Sequence, residues 1–166
     1  MRSVCVAIVA AVAFVVVGAA PAAAAVAISA PASANLGSAP TGTSSISAQL
    51  GPVTVTGSGL VAPSFISTVS ATIFTTGAGS PSETIGKASI LYWSGPATSV
   101  TGLLGSGTPG QPTSAQAVDL TVTRTAFSGQ GVALSITARW NPTVIVNIPA
   151  SAVAGSYSGT IVHSVA

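Results

Sequence analysis

Few residues in this sequence could carry proton-transfer, nucleophilic or metal chemistry. His163 is the single histidine, Glu83 and Asp119 are the only carboxylate side chains, and Cys5 is the single cysteine. A histidine can act as general base between a carboxylate and a serine, and Asp119 is the acid such a triad would use. The nucleophile is missing its setting. No G-x-S-x-G elbow occurs, and Ser156-Tyr157-Ser158-Gly159 does not make one. On strand alternation His163 shares a face with Ile161 and Val165, which predicts a structural ring held by a hydrogen bond. Glycoside hydrolysis needs two carboxylates across one cleft, and Glu83, close to Lys87 in a loop-like stretch, reads as surface charge. One histidine and two distant carboxylates give no metal-ligand spacing. The expectation is a non-enzyme with no catalytic residue, no metal and no cofactor.

The aromatic residues are a better lead. Tyr92, Trp93 and Trp140 are candidate ligand-binding residues, because aromatic faces stack on the apolar faces of sugar rings; the same side chains also dominate ordinary cores. Trp140 ends the alternating series Val132, Leu134, Ile136, Ala138, which points it inward. Tyr92 and Trp93 are neighbours on a strand, so one faces the core and the other faces out beside Gly95-Pro96.

The elements that must position these residues follow a leader. Met1-Arg2-Ser3 is a short basic start, Val4 to Gly18 is an uncharged apolar run, and Ala23-Ala24-Ala25 fits the A-x-A cleavage pattern. The apolar run is nearly long enough to span a membrane, which takes roughly 17–25 residues. Pro21 and the alanines favour cleavage. A signal peptide over residues 1–25 is therefore expected, followed by a single domain over 26–166 that is secreted to the extracellular side of the cell envelope, with no transmembrane segment after cleavage. Cys5 lies too early for lipid attachment and leaves with the leader, so the processed chain has no thiol and no disulfide. Its charged side chains are Lys87, Arg124 and Arg139 against Glu83 and Asp119, three minus two, or +1. Nucleic-acid binding needs several phosphate-neutralising groups, and these are lacking.

Residues 26–166 show period-2 alternation broken by Gly, Pro, Ser and Asn. Strands are predicted at Val26 to Pro31, Ile46 to Leu50, Val53 to Thr56, Phe65 to Phe74 (Val69, Ala71 and Ile73 on one face), Ala88 to Trp93, Val118 to Val122, Val132 to Trp140, Val144 to Ile148 and Tyr157 to Val165. Gly95 to Gln116, rich in Gly, Pro, Ser and Thr, reads as one long loop, and Asn141-Pro142 as a turn. About eight or nine short strands with regular turn signals predict an all-β, Ig-like antiparallel two-sheet β-sandwich, with a closed barrel as the rival. Uncharged Ser/Thr faces leave strand edges free to pair with a neighbouring chain.

Three stretches carry a resemblance: Leu50-Gly51-Pro52-Val53-Thr54-Val55, Tyr92-Trp93-Ser94-Gly95, and the run from Val146 through Ile148-Pro149-Ala150 to Gly155-Ser156-Tyr157-Ser158-Gly159-Thr160. Together they resemble the WxL-domain surface proteins of Gram-positive bacteria, and more closely their actinobacterial secreted relatives. The chain departs from the family in having no Trp-x-Leu: Phe65-Ile66-Ser67 stands at the first expected tryptophan, and the chain ends His163-Ser164-Val165-Ala166. The resemblance implies a sandwich fold, export, and non-covalent association with cell-wall polysaccharide or peptidoglycan. No LPxTG-like sorting signal is present. The expected role is thus a non-catalytic cell-surface module binding wall glycan or other surface proteins. The alternative is a self-associating structural subunit of a surface coat.

Overall fold

The structure, a computed structural model, describes residues 3–9, 25–40, 42–58, 64–103, 105–131 and 133–166. The chain forms β1 (Ser3–Val9), β2 (Ala25–Ser29), β3 (Ser33–Pro40), β4 (Ser45–Gln49), β5 (Val53–Ser58), β6 (Ser64–Ala71), β7 (Phe74–Thr75), β8 (Thr84–Ile85) and β9 (Ile90–Trp93). It continues through β10 (Ala97–Leu103), β11 (Ser106–Pro109), β12 (Val118–Asp119), β13 (Arg124–Gln130), β14 (Ala133–Trp140), β15 (Thr143–Asn147), β16 (Ser156–Gly159) and β17 (Ile161–Val165). Single 3₁₀ turns lie at Pro81–Glu83, Lys87–Ser89 and Ser114–Gln116. The fold is all-β, and every described pairing is antiparallel except β1 with β16.

Four ladders have the orders β12-β9-β15-β4, β10-β14-β5-β2, β11-β13-β6-β17 and β3-β1-β16-β7-β8. The register joins them two by two. Trp140 lies opposite Val53 and Thr143 opposite Gln49, so β14–β15 and β4–β5 each pass from one ladder to the next with a one-residue slip. The same happens where Trp93 faces Thr143 and Ala97 faces Trp140, carrying β9 into β10. The slips fall at Gly51-Pro52, Gly95-Pro96 and Asn141-Pro142, aligned across three adjacent strands. Proline removes a ladder donor and fits only where pairing is interrupted; glycine at position 51 takes φ 93°, open to few other residues. The result is one sheet bent along a line. The second sheet bends where β6 gives way to β7 and β16 to β17, and there the Thr72 amide donates to Thr160 O at 2.9 Å.

One core lies between the two bent sheets. Phe127 of β13 stacks on Trp140 of β14 with ring centres 4.7 Å apart, and Phe65 stacks on Phe127 at 6.3 Å. Val53, Val55, Ile90, Val144, Val146 and Ile161 are buried beside them, while Thr56, Ser58, Ser45 and Ser47 face out. The alternation of apolar and hydroxyl residues thus sorts the two faces as expected for sheets with one wet side.

Several expectations need correction. Among the described residues of 25–165 there are sixteen strands in place of eight or nine, because the bends split long strands and because several strands lack valine alternation. Gly95 to Gln116 is no single loop: it holds β10, β11 and the turn at Ser114–Gln116. Only Val118–Asp119 of the Val118 to Val122 segment is strand. The chain then turns, burying Leu120 and leaving Val122 56% exposed, and the long strand is Arg124–Gln130. Ile73 does not share the face of Val69 and Ala71. It falls in the break after β6 and is exposed, and Phe74 is buried in its place.

At the other end, Ser3–Val9, within the stretch expected to be a leader, lies as a strand between β3 and β16. The rest of the apolar run and Ala23-Ala24 of the cleavage pattern lie outside the described residues.

Candidate functional site

Tyr92, Trp140 and His163 are brought together from three strands and both sheets. Ile90 and Tyr92 point inward from β9, Trp140 closes the inward series of β14, and His163 sits between Ile161 and Val165 on β17. Tyr92 and Trp140 are fully buried and His163 is 6% exposed. The indole Nε1–H of Trp140 donates to the Tyr92 hydroxyl oxygen at 3.3 Å, and that hydroxyl lies 3.1 Å from His163 Nε2. Indole can only donate. The Tyr92 oxygen therefore accepts from Trp140, and the direction of its bond with His163 Nε2 is set by the imidazole tautomer. The remaining imidazole nitrogen, Nδ1, is buried without a partner. Burial lowers the His163 pKa to about 4 and pushes the Tyr92 hydroxyl well above its ordinary range, so both are neutral near pH 7.

This arrangement is a polar clasp inside the core. The expectation of a partly buried, hydrogen-bonded His163 agrees with it in the hydrogen bond, and the ring is buried more fully than expected. Tyr92 and Trp140, expected among the ligand-binding residues, have no face open to solvent, since their rings fill the space between the sheets. The two carboxylates are engaged elsewhere. Asp119 accepts from the Thr121 hydroxyl and, at 3.0 Å, from the Thr121 amide, and pairs with Arg124 Nη2 at 3.2 Å; these contacts, the hydroxyl's foremost, hold its pKa below the usual carboxylate range. Glu83 accepts from the Ser80 amide at 3.0 Å and caps the Pro81–Glu83 turn, which lowers its pKa as well.

Trp93 is the remaining aromatic candidate. It points away from Tyr92, is half-buried, and stands at the end of β9 where the sheet bends. Gly95 lies between its indole edge and the backbone oxygen of Asn141, with a hypothetical Cβ only 3.6 Å and 3.4 Å from them. Asn141 in turn helps line a shallow cleft of about 440 Å³ with Pro52, Thr98, Ser99 and Arg139. Thr98, Ser99 and Arg139 are exposed, and the Thr98 hydroxyl is oriented by donation to Arg139 O at 2.9 Å. Ser94 is buried beside the bend and bonds Gln111 O and N, both at 3.0 Å, which pins the following segment. The bend thus gathers hydroxyls, an amide and a guanidinium in one cleft, with the half-buried indole of Trp93 reached through Gly95 and Asn141.

Sequence reasoning misses Thr98 and Ser99, because Gly95 to Gln116 reads as one loop.

No protein-family model and no curated protein matches this chain.

Proposed function

We propose that this chain is a secreted, non-catalytic protein of the cell envelope, similar to the WxL-domain surface proteins, that associates non-covalently with cell-wall glycan through the surface at its sheet bend. The observation that carries the proposal is the setting of Trp93, a half-buried indole that meets Gly95 on the side facing the backbone oxygen of Asn141, a residue that itself lines a cleft with Thr98, Ser99 and Arg139. A pyranose offers an apolar face to an indole and a rim of hydroxyls to such groups. Trp93 is positioned by the backbone on both sides of Gly95-Pro96, so little ordering entropy is lost on binding. The leader-like residues 1–25 and the hydroxyl-rich outer faces fit an exported wall protein.

The experiment is fractionation of cells producing the tagged protein, followed by a salt wash. The protein is expected in the wall fraction and largely retained at high salt, because a chain of net charge +1 after processing gives salt little to screen. Recovery wholly in the medium would overturn the proposal.

A further inference from the structure

β1 is held from both sides. Cys5 lies opposite Ser156 and Ile8 opposite Gly159, with β1 parallel to β16. On its other edge β1 runs antiparallel to β3, from Ser3 opposite Pro40 to Val9 opposite Ser33. β3 and β16 do not pair with each other and meet only through β1. Both flanking strands have their own anchors. Leu36 and Ala39 bury β3. Tyr157 buries β16, its hydroxyl shared between the carbonyls of Val153 at 3.0 Å and Ser82 at 3.1 Å. β16 also pairs with β7 and runs on into β17.

Ser3–Val9 belongs to the segment read as removed after Ala25. Its departure opens a slot one strand wide, faced by the amides and carbonyls of two anchored strands. Unpaired main-chain groups in such a place are costly, and an open strand edge is a template for another strand.

We infer that the processed domain is a strand acceptor, and that the slot between β3 and β16 takes an extended, uncharged apolar segment of a partner protein, parallel to β16. The chemistry of the occupant is that of the strand seated there, Ser3-Val4-Cys5-Val6-Ala7-Ile8-Val9, seven residues with no charge. The inference rests on the processing step of the function proposed above and is independent of glycan binding.

Two other occupants are conceivable and are separated by the test. Val6-Ala7-Ile8 recurs as Val26-Ala27-Ile28 in β2, so the chain's own β2, or that of a second copy, could move into the slot. The experiment uses the full chain with a specific protease site placed within residues 10–24, folded and then cut. It is challenged with a fluorescent Ser3–Val9 peptide carrying Cys5→Ser, and with the same peptide carrying Ala7→Pro. Ala7 pairs on both edges, opposite Ser158 and near Asn35, and proline cannot sit in a strand paired on both sides.

The first peptide is expected to replace the cut fragment, to co-elute with the domain, and to slow amide exchange at Ser156–Gly159. It should raise Tm by roughly 5–10 °C at a hundredfold excess over Kd. The Ala7→Pro peptide should bind at least tenfold more weakly. A cut domain that refuses the peptide while its Ser156–Gly159 amides stay protected overturns the inference in favour of its own β2. One that refuses it and dimerises by light scattering overturns it in favour of a second copy. Mass spectrometry of the exported protein tests processing separately: a chain that still carries Ser3–Val9 overturns that step, whereas peptide exchange reads the slot itself.

Discussion

The hydroxyl of Tyr92 lies 3.1 Å from Nε2 of His163, tying β9 of one bent sheet to β17 of the other through the middle of the core. Trp140 completes the link from the Tyr92 side. The only histidine of the chain is thereby a structural element, and its protonation couples to folding.

Acid should weaken the fold through this residue. The folded-state pKa of His163 is lowered from 6.5 to about 4, so between these values the unfolded chain binds more protons than the folded one. The stability due to the neutral ring is complete above pH 6.5 and is lost as pH falls toward 4, by about 3 kcal/mol over that window. Urea unfolding at pH 7.5, 6, 5 and 4 should show this slope, and His163→Leu should flatten it. An equal slope in both proteins would contradict the assignment.

Tyr92 and Trp93 are adjacent but should respond oppositely to truncation. Tyr92→Phe strands the Trp140 indole N–H and removes the partner of His163 Nε2, each a buried loss of about 1–3 kcal/mol. A total near 2–4 kcal/mol is expected in urea unfolding. Trp93→Ala, at a half-buried site outside this network, should cost clearly less.

Gly159 is required by close approach. A Cβ there would run into the ring of Phe74 across the β16–β7 pair. Gly159→Ala should lower stability by about 1–3 kcal/mol through overpacking. The double variant with Phe74→Leu should lose less than the sum of the two single variants, as a double-mutant cycle would read.

The fold was legible where valine and isoleucine alternate. Val53-Val55, Val144-Val146 and Ile136-Ala138-Trp140 point inward as their spacing requires, and His163 follows the phase of Ile161. β3 and β13 were not legible, because their buried positions include small residues: Ala39 in one, Ala126 and Gly129 in the other. Gly129 sits under the ring of Phe65. A glycine that receives an aromatic ring looks, in sequence, like a glycine that makes a turn. The same ambiguity hid β10 and β11.

The bends were misread for a related reason. Gly51-Pro52, Gly95-Pro96 and Asn141-Pro142 have turn chemistry, and in sequence each reads as the end of a strand. In the fold they lie side by side, so the three strands turn together and continue. A single strand carries no sign of that alignment. The sequence therefore offers Trp93 as a candidate, but it does not show that Thr98, Ser99, Arg139 and Asn141 share one cleft.

Sedimentation of the exported protein with purified cell walls, wild type beside Trp93→Ala, tests the central claim most directly. The account predicts that wild type pellets with the walls and that Trp93→Ala, folded by circular dichroism, loses at least tenfold in apparent affinity. Wild-type protein that stays in the supernatant, or a Trp93→Ala variant that pellets equally well, would contradict it.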